Sequence, residues 1–213
     1  MKWLVFSFFL IAAFTCGAQQ NIAITYHYYL NVDTLQKTFV SFRKAYLFSE
    51  GDSMAVFAFD KTGVTDRIDL NKLSAHHNIF KRMGSNDYYA VSHFHGRDRN
   101  YDRLVRYNDD TTKWQVTGDS MYILNTLCYA ATKLKHIAWF APSIPFKSGP
   151  WCEGGLPGLI LNLYRTDTKT LFEAVEINNL IPPIIYPKNK KIVSAEEYSK
   201  EVLNKNTVTA PMK

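Results

Sequence analysis

Residues Ile144 to Tyr164 read IPFKSGPWCEGGLPGLILNLY, and the reading of this stretch decides the fold. Prolines stand at 142, 145, 150 and 157, and glycines at 149, 154, 155 and 158. Each proline fixes its own φ and pushes the residue before it toward extended backbone. Ser143, Ile144, Gly149 and Leu156 are therefore not expected in a helix. Pro157-Gly158 fits the centre of a type II turn, with glycine supplying the positive φ. Gly154-Gly155 permits a close backbone approach or a second left-handed residue. Leu159-Ile160-Leu161 then continues as an apolar run, the pattern of a strand buried on both faces. The stretch reads as a stiff strap feeding a core strand, with Leu156, Leu159 and Ile160 in the core. A turn needed for folding alone is the plainer reading, and a binding loop at the sheet rim is the alternative.

The segments around the strap have strand character. Thr38–Ser49 and Ser53–Asp60, joined by Glu50-Gly51-Asp52, form the clearest hairpin. Leu159–Tyr164 and Thr170–Ile177 form a second about Arg165–Thr168, in which Glu173 and Glu176 fall on opposite faces. Ile22–Leu30, Asp87–His95, Tyr101–Tyr107, Trp114–Thr117, Met121–Leu134 and His136–Phe140 also read as strands. Ile68–Met83 fits a short helix or irregular crossover loosely. Ser194 to Glu197 is a capping box for a helix through about Leu203, followed by a mobile tail from about Asn204. The expected class is mainly β: a curved antiparallel sheet or partly open half-barrel with one or two short helices.

Composition supports one folded domain. The chain has 213 residues, 46% hydrophobic and 15% aromatic, which argues against disorder. The first 20 residues, MKWLVFSFFLIAAFTCGAQQ, have a signal-peptide layout, with Lys2 before the apolar stretch Trp3–Phe14. Small residues at Cys16 and Ala18 predict cleavage after Ala18, leaving a single domain over 19–213. A lipoprotein anchored at Cys16 is the alternative. No later stretch reads as a transmembrane helix, so the protein is expected to be exported, to the periplasm or the outer membrane. Lys2 is the only charge before Gln19, so the formal +6 becomes +5 after cleavage. That mild, scattered charge carries no nucleic-acid module.

After cleavage Cys128 and Cys152 remain. A disulfide between them would close a 24-residue loop and contribute about 3 kcal/mol. Two buried free thiols are the equal alternative.

The residues now quoted resemble the GLPGLI family of exported proteins from Gram-negative bacteria. Gly155-Leu156-Pro157-Gly158-Leu159-Ile160 is the family hexapeptide intact. Ile144-Pro145 and Gly149-Pro150-Trp151 lead into it, Cys128–Lys133 and Ala138–Pro145 stand upstream, and Trp114 opens the strand before. Cys152 departs from the pattern, in which an apolar or aromatic residue is expected. The resemblance implies a half-barrel architecture and no particular reaction.

No familiar hydrolase, metalloprotease or nucleotide motif is present, and no cofactor is expected. His93 and His95, two apart on a strand, are the metal-ligand candidates, with His76 and His77 as further ligands; a solvated strand face is the plainer reading. Glu153, Glu173 and Glu176 are candidate acid–base carboxylates without a nucleophile, and surface positions are expected for them. Trp114, Trp139 and Trp151 either pack in the core or line an apolar cleft. The expected function is a non-enzymatic envelope module that binds a protein partner or an apolar ligand. A carrier with an interior cavity, or a metal-dependent enzyme, are the alternatives.

Overall fold

The structure is a computed structural model and describes residues 21–33, 38–39, 41–50, 54–59, 68–69, 78–82, 87–92, 103–108, 112–186 and 190–208. The first 20 residues, where a signal peptide is expected, and His76, His77, His93 and His95 lie outside these residues.

Strand β1 (Asn21–Leu30) is the spine, because both halves of the chain build on it. On one side β2 (Ser41–Glu50), β3 (Met54–Phe59), β5 (Asn78–Arg82), β6 (Asp87–Ser92) and β7 (Arg103–Asn108) follow outward in antiparallel order. On the other, β12 (Thr170–Asn178), β11 (Leu159–Arg165), β10 (His136–Ala141), β9 (Thr126–Lys133) and β8 (Gln115–Ile123) lie in turn, with β8 outermost. β14 (Lys191–Ser194) adds to β7 in parallel and completes a twelve-stranded open sheet. β4 (Ile68–Asp69) and β13 (Ile184–Ile185) pair separately.

Covalent geometry requires this sheet to curl. β7 and β8 are ten positions apart in it. Flat, ten strand spacings would separate them by about 48 Å. Yet only seven residue steps join Asn108 to Gln115, a reach of at most about 25 Å. The sheet therefore bends until its two ends approach, as a half-barrel does.

Both faces of the first half are apolar, which explains the unbroken run MAVFAF in β3. Phe57 and Phe59 join Ile24, Tyr26, Leu47, Leu163 and Phe172 in the main core on the concave side. Val56, just before Phe57, packs on the opposite face with Phe48, Phe80 and Leu104. Ile181, Ile184 and Tyr186, from the chain after β12, cover that second cluster.

Several local expectations change. Asn78–Arg82 is a strand rather than part of a helix, because it pairs with β3 and β6. The break near residue 120 is a bulge inside β8, and the turn falls at Leu124-Asn125 instead. Glu173 and Glu176 share a face, because a bulge shifts the β1–β12 register there. Helix α1 (Ala195–Val208) begins as the capping box predicts, with Ser194 Oγ accepting the Glu197 N–H at 3.1 Å. It continues beyond Asn204, where a tail was expected.

Candidate functional site

The strap leaves β10 at Ala141 and enters β11 at Leu159, crossing the concave face between them. Its own backbone ties it into a loop: Gly155 N–H donates to Lys147 O, Ile160 N–H to Ser148 O, and Leu159 N–H to Ile144 O. Phe146, Leu156, Leu159 and Ile160 are buried in the main core. Tyr26, fully buried in β1, donates its hydroxyl to Ile160 O at 2.6 Å. That burial holds the Tyr26 phenol well above its ordinary pKa.

The glycines do not serve the turn as expected. Gly155 takes the positive φ, +85°, whereas Gly158 does not. A Cβ on Gly158 would lie on the Ala141 carbonyl oxygen and within 2.8 Å of Pro142 Cα. Gly158 is thus required for close backbone packing against the end of β10. The type II assignment at Pro157-Gly158 is corrected accordingly.

The tip of the strap reaches across to the first half of the sheet. The Trp151 ring sits 5.7 Å from that of Phe59 and 6.4 Å from that of Phe57. Trp151 itself is left-handed, with φ +61°, a rare state for a bulky residue. Lys81 Nζ donates to Cys152 O at 3.2 Å. Where the tip meets Leu47, Ala55, Phe57 and Ile79, the remaining void is about 10 Å³, room for no more than about one water.

Charge is buried under the same tip. Lys133 Nζ lies 2.7 Å from Glu153 Oε2, and His136 Nδ1 lies 3.4 Å from Glu153 Oε1. Neither contact has hydrogen-bond geometry, so the Lys133–Glu153 attraction is ionic, and the His136 contact becomes so only when the ring is protonated. Lys133 and Glu153 are 4% and 7% exposed. Glu153 is therefore a buried carboxylate, contrary to the expected surface position. Burial lowers the His136 pKa, and the Glu153 carboxylate opposes that shift in part. Trp114 closes the cluster: its ring lies 5.1 Å from Lys133 Nζ, and its Nε1–H donates to Gly154 O at 2.9 Å.

All three candidate tryptophans pack against the main core. Cys128 and Cys152 are both buried, and no bond joins them in the structure. Glu173 and Glu176 stand apart from Glu153, accepting from Tyr29 Oη and Thr25 Oγ1 on the other face. Among the described residues, no group of three His, Cys, Asp or Glu side chains is placed to hold a metal. No helix among them is long and apolar enough to cross a membrane.

Lys133 and His136 were not singled out from sequence. Their only signal is a polar residue at an interior position of an alternating strand. The open edge was missed too. β8 is exposed along its length, and Val116, Met121, Tyr122, Leu124 and Leu127 present apolar side chains there.

No protein-family profile matches the chain. No curated protein matches it either. Among solved structures it is similar to PNGF-II, seen in two crystal forms. The TM-score is 0.61 in both, with 15% and 14% identity over 86% of this chain. The chain spans 33% of the length of PNGF-II. A LolA superfamily protein from Nitrosomonas europaea superimposes with a TM-score of 0.32 and 7% identity, over 76% of this chain and 87% of that one. The PNGF-II likeness shows a shared fold.

Proposed function

We propose that this protein is an exported cell-envelope binding module of the GLPGLI type that engages its partner on the outside of its curled sheet. The observation that carries this reading is the strap packed into the main core among the described residues. A lipid carrier needs an interior volume of about 300–1,000 Å³. Among the described residues the strap packs Leu156, Leu159 and Ile160 into the main core, and the void beside its tip is about 10 Å³. The hexapeptide that suggests the family is thus a structural plug, stiffened by proline and packed by glycine.

An envelope protein, rather than an interior apolar ligand, is the partner this arrangement favours. Its apolar contacts would be the exposed side chains of the β8–β9 edge. The buried Lys133–Glu153–His136 cluster serves to latch the strap, since Glu153 comes from the strap and Lys133 and His136 come from the strands beneath. Native mass spectrometry of protein released from the envelope tests the reading, paired with chemical crosslinking and identification of captured proteins. The expected result is a lipid-free chain with an enriched protein partner. A stoichiometric bound lipid would replace this reading with the carrier.

A further inference from the structure

β8 bonds to β9 on one side and to no strand on the other among the described residues. Its two halves differ. The register slips between Val116 and Ser120, Gly118 takes φ +89°, and Thr117 Oγ1 donates to Asp119 Oδ2 at 3.1 Å. A bulge carrying a charge is how proteins blunt an exposed edge. The other half, Ser120–Ile123, has no such protection. It is in regular register with Tyr129, Cys128, Leu127 and Thr126, and it carries neither charge nor proline. Tyr122 is 72% exposed there.

The turn that follows supports a role for this half. Leu124 and Asn125 both have positive φ, +49° and +58°, as a two-residue type I′ hairpin requires. Asn-Gly would meet that geometry without strain, whereas leucine meets it poorly. The strained residue is also 41% exposed, two positions after Tyr122. Strain and exposed apolar surface coincide at the end of the open half, where folding gains from neither. The opposite edge differs: Lys191 of β14 is paired to Glu197 and Glu201 of α1.

We infer that Ser120–Ile123 accepts an extended segment of another protein by strand addition. This rests on the outer-surface reading and deepens it. Only an extended main chain offers donors and acceptors at the alternation an open edge presents. An acyl chain offers none. The segment is apolar at alternate positions, to meet Tyr122, and carries a cation at the end that passes Asp119. A second copy fits poorly. Self-pairing over Ser120–Ile123 sets the Asp119 bulge of each copy against the Leu124 turn of the other. It leaves a ladder of four residues, far short of the roughly 800 Å² per partner of a stable dimer.

The test is amide hydrogen exchange on the full chain, with and without a synthetic peptide. The probe alternates threonine and valine over about ten residues with lysine at each end, long enough to pair along the open half. Expected is a slowing of about tenfold or more, confined to the outward-facing amides of Ser120–Ile123. A control peptide with interspersed prolines produces none, since proline cannot donate. Leu124→Asn and Tyr122→Ser weaken peptide binding about fivefold or more, and Leu124→Asn also raises the melting temperature by relieving strain. No slowing at saturating peptide, or equal slowing in both variants, overturns the inference. Slowing without peptide that tracks self-association by sedimentation also overturns it, in favour of a second copy. Failure of the peptide while crosslinking still captures an envelope protein ends strand addition alone. Failure of both ends the outer-surface reading.

Discussion

Replacing Gly158 with alanine separates close packing from turn geometry. The new Cβ would meet the Ala141 carbonyl oxygen, with Ala141 C at 2.6 Å and Pro142 Cα at 2.8 Å. All three are backbone atoms, so no side chain can rotate away. Relief requires moving the Ala141–Leu159 pairing at the mouth of the strap. Leu156, Leu159 and Ile160, all within 2% of full burial, would move with it. Overpacking costs about 1–3 kcal/mol where neighbours can yield, and a backbone contact belongs at or above the top of that range. For a domain of this size about 3 kcal/mol corresponds to roughly 6–12 °C. Gly155→Ala is the internal control. Nothing lies within 4 Å of its Cβ position, and its φ is +85°, so only the left-handed backbone penalty of about 1–2 kcal/mol applies. Urea unfolding followed by tryptophan fluorescence measures both. Gly158→Ala must be the more destabilised. If it unfolds with wild-type stability, or if Gly155→Ala proves the worse, the packing account of the hexapeptide is wrong.

The buried latch makes further predictions. Glu153→Gln leaves Lys133 buried beside no anion and should cost about 3–5 kcal/mol in chemical denaturation, whereas Lys133→Met with Glu153→Leu should recover most of that loss. A single variant near wild type would show that the pair is open to water. His136 has a lowered pKa in the fold, so the unfolded chain binds the proton more tightly. Stability should therefore rise with pH from the lowered folded value up to the unfolded value of about 6.5. His136→Gln should flatten that rise, and a titration showing the same slope in both proteins would refute the assignment. Cys128 and Cys152 should both be alkylated on unfolding without reductant, and a 128–152 linked peptide in mass mapping would contradict the unbridged pair.

The hairpins were legible because their turns carry their own chemistry. Glu50-Gly51-Asp52 and Arg165–Thr168 stand between runs of strand-forming residues, and the strands fall where those signals put them. Leu124-Asn125 gives no such signal, so β8 and β9 were divided wrongly around Gly118. The 78–82 strand was hidden for another reason. Asn78–Arg82 is held by pairing with β3 and β6, a long-range fact without local periodicity. The apolar content of the strap predicted its burial, but which glycine needed positive φ depended on where Ala141 lies. Glu153 looked like a surface carboxylate because its partners, Lys133 and His136, come from strands about twenty residues upstream.

Binding at the open edge is the central claim, and site-specific photocrosslinking tests it most directly. A benzophenone amino acid is placed at Tyr122 in one chain and at Leu180, 85% exposed, in another. Both chains are expressed in the intact envelope and irradiated. The account predicts a discrete protein adduct from position 122 and none from position 180. An adduct from position 180 alone, or a lipid adduct from position 122, would contradict it.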